Sequence, residues 1–257
     1  MADIADRTAR LLALVLERSP WSVAELAAAA EGSEGEVRSA LEALERHGLV
    51  DWDAERSQVR PGPRQLRFAR SGHERRALAA LAEPAMRRLA EESGETVNLM
   101  VRAPRGAEAV AQADGRHVLG VSNWVGREVP DHCSAAGKIF LAFGASALPP
   151  GPLERLTART IVHGDQLERE LEAARRRGFA SIVDELETGL AAVAAPIREA
   201  DGSVVAALSV AGPTARLGPA RLAIVGRLAI EQAYGVSTQL GYEGDLQDLL
   251  DPQRGRP

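Results

Sequence analysis

Near the start of the chain the apolar positions recur at helical spacing. Ile4, Thr8, Leu11, Leu12, Val15 and Leu16 share one helical face, and Pro20 ends that helix. Ser22-Val23-Ala24-Glu25 is a capping-box pattern: the serine hydroxyl accepts from a helix amide while the glutamate reaches back to the cap. It predicts a short helix over residues 23–30 that buries Val23, Leu26 and Ala27. Ser33-Glu34-Gly35-Glu36 repeats the box and opens a third helix, with Val37, Ala40, Leu41 and Leu44 as its apolar stripe and Gly48 as its stop. Residues 49–52 and 58–60 pair across residues 53–57 as a two-stranded wing. Two short helices joined by a tight turn and followed by a wing make a winged helix-turn-helix, whose second helix enters a DNA major groove. A small helical protein-binding module is the alternative.

Pro61-Gly62-Pro63 breaks this pattern, and residues 64–70 read as a short helix or an extended tether. Ser71-Gly72-His73-Glu74 is a third capping box, opening a helix through Leu78 and Leu81 that Pro84 either kinks or restarts. From Glu95 the pattern is mixed. Residues 96–102, 108–113, 118–121 and 179–183 read as strands, and 126–130 as a loop. Residues 134–143 form a helix, and Asp165-Gln166-Leu167-Glu168 caps another that Gly178 ends. The apolar runs 191–197 and 204–210 flank the turn Glu199-Ala200-Asp201-Gly202, a strong hairpin signal. Neither run alternates, so both strands are covered on both faces, and their alanines leave room for a packed helix or a ligand. A last helix runs from about 219 to 240, and the polar tail after it frays. The elements do not alternate strictly, so the class is α+β with an antiparallel-rich sheet.

The 257 residues suffice for two domains. No apolar run is long enough to span a membrane, no secretory signal opens the chain, and the one cysteine, Cys133, forms no internal disulfide; all this suits the cytoplasm. Of the 31 basic residues Lys138 alone is lysine, which points to a place where a compact ammonium suits better than a planar fork. Residues 1–71 carry slightly more acid than base. The basic excess lies in the stretch with Arg56, Arg60, Arg64, Arg67, Arg70, Arg75 and Arg76. Phosphate contacts are therefore expected from Arg56, Arg60 and Arg64. Ser33, Glu36, Arg38 and Ser39 would lie on the recognition helix.

Little supports catalysis. His132-Cys133 lacks an orienting third group, the five histidines show no metal-ligand spacing, and neither phosphate-binding glycine motif is present. No enzyme, metal or cofactor is expected, and Asp184, Glu185 and Glu187 read as solvated turn acids. Ala135-Ala136-Gly137-Lys138 lies where a loop becomes a helix. Small residues there let backbone amides hold a carboxylate, or else mark a tight packing contact.

Over about residues 8–240 the chain resembles the IclR family of bacterial transcriptional regulators. The resemblance rests on Pro130-Asp131-His132-Cys133-Ser134-Ala135-Ala136-Gly137-Lys138, on Leu156-Thr157-Ala158-Arg159-Thr160-Ile161, on Arg177-Gly178-Phe179 through Gly189, and on Ala194-Ala195-Pro196-Ile197 to Gly212-Pro213. It implies a winged helix-turn-helix over residues 1–62, a linker helix over 63–77, a GAF-like effector domain over 78–243 and a flexible tail over 244–257. It also implies a homodimer or homotetramer on a palindromic double-stranded operator, acting as a repressor or other regulator under a small organic acid or aromatic metabolite. The effector pocket it implies takes in Val118, Val121, Trp124, Cys133, Ala135, Ala136, Gly137, Lys138, Ile182, Ala192 and Ser209. Relatives often hold polar or acidic groups at the position of Ile182 and cysteine at that of Ala192, so the apolar pair here favours an effector with an apolar body. The recognition helix departs too. Glu34, Gly35 and Glu36 stand where relatives carry basic and hydroxyl residues, which points to an operator read at cytosine amino groups or to DNA binding that depends on clustered subunits. The alternative is a ligand-binding module that has lost DNA binding and acts through protein contacts.

Overall fold

The computed structural model describes residues 4–53, 57–65, 73–117, 123–147 and 151–246. The chain divides into two compact units, Met1–Arg76 and Ala77–Pro257.

The first unit contains α1 (Ile4–Glu17), β1 (Trp21–Ser22), α2 (Val23–Ala29), α3 (Glu34–Arg46), β2 (Val50–Asp53) and β3 (Gln58–Pro61). Both capping boxes form. The Ser22 hydroxyl accepts from the Glu25 amide and Ser33 from Glu36, while each glutamate accepts from its cap's amide. Leu11, Val15, Leu26, Val37 and Leu41, which the helical spacing picks out, fill the core together with Val59 of the wing. The wing has three strands rather than the expected two. Trp21 and Ser22 pair with Val59 and Gln58, so the sheet order is β1-β3-β2. The Trp21 indole donates to the Leu14 carbonyl at 2.8 Å, which ties the added strand to the end of α1. Arg56 and the tether residues 66–72 lie outside the described residues.

The second unit begins within α4 (His73–Ser93), which runs unbroken through Pro84. It continues with β4 (Thr96–Ala103), β5 (Gly106–Ala113), β6 (Glu128–Val129), α5 (Ala135–Ala142), α6 (Gly164–Arg177), β7 (Ala180–Val183), β8 (Leu190–Arg198), β9 (Val204–Pro213) and α7 (Pro219–Gln239). The strands form one antiparallel sheet in the order β6-β5-β4-β9-β8-β7. Val97, Leu99, Val193 and Leu208 face α4 and α7, whereas Met100, Ala192, Ala194 and Ala207 face α5 and α6. A sheet buried on both faces explains why β8 and β9 show no polar alternation. Their alanines serve both faces: Ala191, Ala195 and Ala206 lie in the first layer.

Two local readings change. Residues 128 and 129, read as loop, pair with Glu108 and Ala107 because Gly126 turns the chain back against β5. The cap of α6 is His163 rather than Asp165, with no side-chain bond to the helix, so the box pattern at 165–168 falls inside the first turn. Gly178 ends that helix in the left-handed region at φ 75°, as expected. The strand expected at 118–121 and the end of the tail, residues 247–257, lie outside the described residues.

Candidate functional site

A cavity of about 50 Å³ lies between the start of α5 and the sheet. Its floor follows from strand register. Ile182 on β7 pairs with Ala192 on β8, which pairs with Ala211 on β9; beside them Asn98 on β4 pairs with Ser209 on β9. Ser134, Ala135 and Ala136 form the facing wall. Alanine at 135, 136, 192 and 211 keeps the space open, since a larger side chain at any of them would enter it.

The start of α5 is held firmly. The Ser134 hydroxyl donates to the Pro130 carbonyl at 2.7 Å and accepts from the Gly137 amide at 3.1 Å. The Ser134 carbonyl accepts from the Lys138 amide. The amides of Ala135 and Ala136 meet no acceptor among the described residues, leaving two orphan donors at the positive end of a helix.

Of the effector residues expected from the sequence, Trp124, Ala135, Ala136, Ile182, Ala192 and Ser209 line this cavity together. Cys133, Gly137 and Lys138 do not, and Val118 and Val121 lie outside the described residues. Each exclusion has a physical reason. A side chain on Gly137 would stand 2.2 Å from the Asp131 Cα, so this glycine is required by close packing against the preceding loop. Cys133 is fully buried, and burial, then the Glu185 charge, pushes its thiol up to about 12. Lys138 is 1% exposed and turns its ammonium to Glu185, with Nζ 2.7 and 2.8 Å from the two carboxylate oxygens.

Glu185 is therefore no solvated turn acid. Burial raises its pKa, and the Lys138 charge opposes that rise. The Glu185 carbonyl accepts from the Thr160 hydroxyl at 2.7 Å, so the segment carrying Leu186 and Leu190 to the cavity rim is held at its backbone as well. Asn98 is the residue that the sequence reading missed most consequentially. It is 4% exposed, lies on the cavity side of β4, and its Oδ1 is buried with no hydrogen bond among the described residues. A lone carboxamide inside the apolar run 96–101 is the signal that would have found it.

In the first unit Arg38, Ser39, Arg60 and Arg64 are exposed. The acids of α3 are occupied. Glu36 closes the Ser33 cap and pairs with Arg7, and the Ser33 amide, with Arg7 next, holds its carboxyl down at about 2. Glu34 lies 3.7 Å from Arg38, whose guanidinium stands 5.6 Å from the centre of the Trp52 ring. Arg60 donates to the Gln58 side chain at 2.6 Å. No group of three potential metal ligands occurs among the described residues. No helix among them is long and apolar enough to cross a membrane.

Comparison with known proteins places both units. Residues 4–54 match the IclR helix-turn-helix domain, and residues 72–238 match the bacterial transcriptional regulator IclR C-terminal domain. The chain is 30% identical over 237 residues to the HTH-type transcriptional regulator BhcR of Paracoccus denitrificans, covering 90% of this chain and 85% of BhcR. It is 36% identical over 171 residues to the HTH-type transcriptional repressor AllR of Klebsiella pneumoniae, covering 65% of this chain and 63% of AllR's length. The fold is that of Thermotoga maritima IclR, with TM-score 0.60, 24% identity and 93% and 98% of the two chains covered. An IclR homolog from Microbacterium hydrocarbonoxydans, crystallised with 4-hydroxybenzoate, gives TM-score 0.58 at 24% identity, with 93% and 99% covered.

Proposed function

Because the chain belongs to the IclR family of bacterial transcriptional regulators, we propose that it binds a palindromic operator as a homodimer or homotetramer and that a small organic acid in the cavity sets its affinity. In this reading residues 1–62 read DNA, 63–77 link, and 78–243 sense the ligand. Its relatives are regulators rather than enzymes. The observation that carries the ligand half is the cavity itself: a mostly apolar space with Ala135 and Ala136 on one wall, whose amides meet no acceptor among the described residues. A carboxylate at that wall would meet two N–H donors and the positive end of α5.

Size narrows the ligand. A cavity of about 150 Å³ takes up benzene, and the space here is about 50 Å³. A short-chain acid is favoured over an aromatic one such as the 4-hydroxybenzoate of the Microbacterium relative. On the DNA side, Arg38 and Ser39 would face base edges, while Arg56, Arg60 and Arg64 would meet phosphates. Ser33 and Glu36 would act by capping α3 rather than by touching DNA. Half-sites lie about 34 Å apart on one face of the duplex, so a small ligand-driven shift of the paired units changes affinity.

Fluorescence anisotropy on DNA from upstream of the gene tests both halves. Affinity should fall steeply with salt and change when short-chain acids are added. Absence of DNA binding at low salt would instead favour the ligand-binding module acting through protein contacts.

A further inference from the structure

We infer that the ligand of this cavity is a short-chain 2-hydroxy acid, and that Asn98 is the residue that reads its hydroxyl. The inference rests on the effector reading above and adds the chemical class.

Strand alternation puts Val97 and Leu99 into the layer under α4 and α7, and Asn98 and Met100 onto the opposite, cavity side. There Asn98 stands beside Ser209, its cross-strand partner, which also lines the cavity. The two make a polar corner in a space otherwise walled by Trp124, Val129, Ile182 and Ala192. The carboxamide of Asn98 is shut away from solvent, and its Oδ1 accepts nothing from the protein among the described residues. A buried carbonyl without a donor is costly, so its retention at this spot points to a donor that arrives with the ligand.

A hydroxyl is the group that fits. It donates to Oδ1, and as both donor and acceptor it satisfies either end of the carboxamide. A ketone only accepts, and a second carboxylate would bring its charge against the oxygen of Asn98. With the carboxylate at the Ala135 and Ala136 amides, the hydroxyl on the adjacent carbon must reach the other side of a space of about 50 Å³. A molecule of two or three carbons spans it.

Calorimetric titration of the full chain compares glycolate with acetate and lactate with pyruvate, in the wild type and in Asn98→Leu. The wild type should bind each hydroxy acid at least tenfold more tightly than its partner. Asn98→Leu should bring the two within about twofold by weakening the hydroxy acids alone. Without ligand, Asn98→Leu should unfold at the same temperature or higher, because it removes the orphan carbonyl. Acetate and pyruvate binding as well as their hydroxy partners would overturn the inference and leave the effector reading standing. Binding of none of the four would overturn both. A clear fall in the ligand-free melting temperature of Asn98→Leu would show that Asn98 serves the fold, and would overturn the assignment of the hydroxyl to it.

Discussion

Lys138 and Glu185, 47 positions apart, meet as a closed ion pair behind the wall of the cavity, with both carboxylate oxygens within 2.8 Å of the ammonium. The pair joins α5, which forms that wall, to the segment that brings Leu186 and Leu190 to the rim. The single lysine of the chain thus meets both oxygens with one compact ammonium. Removing one partner strands the other charge in the interior. Lys138→Met should therefore lose about 3–5 kcal/mol of stability. The double variant Lys138→Met/Glu185→Leu should regain most of it. Urea unfolding of the three proteins measures this, and an undisturbed Lys138→Met would show that the pair is not closed in solution.

Gly137→Ala separates two opposing effects. Alanine in place of glycine favours a helix by about 1 kcal/mol. Here the added methyl would stand 2.2 Å from the Asp131 Cα and 2.5 Å from its carbonyl oxygen, and backbone does not step aside cheaply. Overpacking of this kind costs about 1–3 kcal/mol or more, so the variant should be less stable than wild type. A raised urea midpoint would contradict the close approach.

Glu36 predicts a pH dependence of fixed sign. Its carboxyl is lowered from 4.5 to about 2 by the Ser33 amide and by Arg7. A depressed carboxyl stabilises the fold fully above its unfolded value, and that share is lost as pH falls from 4.5 toward 2. Heteronuclear NMR of the full chain should place the Glu36 midpoint near 2, and Glu36→Gln should flatten the fall of stability across that window. A midpoint near 4.5 would mean that the cap and the Arg7 pair are open in solution.

Cys133 should be inert in the native protein. A thiol pushed up to about 12 holds roughly three thousandfold less thiolate at neutral pH than a free cysteine near 8.5, and it is fully buried besides. Labelling with a chromogenic disulfide should go no faster than the protein unfolds and be rapid in denaturant. Prompt native labelling would revive a nucleophilic role.

What the sequence made legible follows from how local each signal is. The capping boxes at Ser22 and Ser33 and the Asp201-Gly202 turn are decided within four residues, and each forms as read. Trp124, Ala135, Ala136, Ile182, Ala192 and Ser209, named from the family resemblance rather than from local pattern, come together around one cavity. What escaped depends on partners far along the chain. Glu185 reads as a surface acid because nothing near it in the chain reveals Lys138, and Trp21 joins the wing only because Val59 comes back beside it. Asn98 leaves little local trace, because one polar residue does not stop a run from reading as a strand; only the register places it beside Ser209, where both line the cavity.

The central claim is that what occupies the cavity governs the grip on DNA. Ala192→Phe fills the space from its floor. Operator affinity measured by anisotropy against increasing lactate should shift for the wild type and stay flat for Ala192→Phe, with both binding the ligand-free operator comparably. Equal shifts in the two proteins would contradict the account.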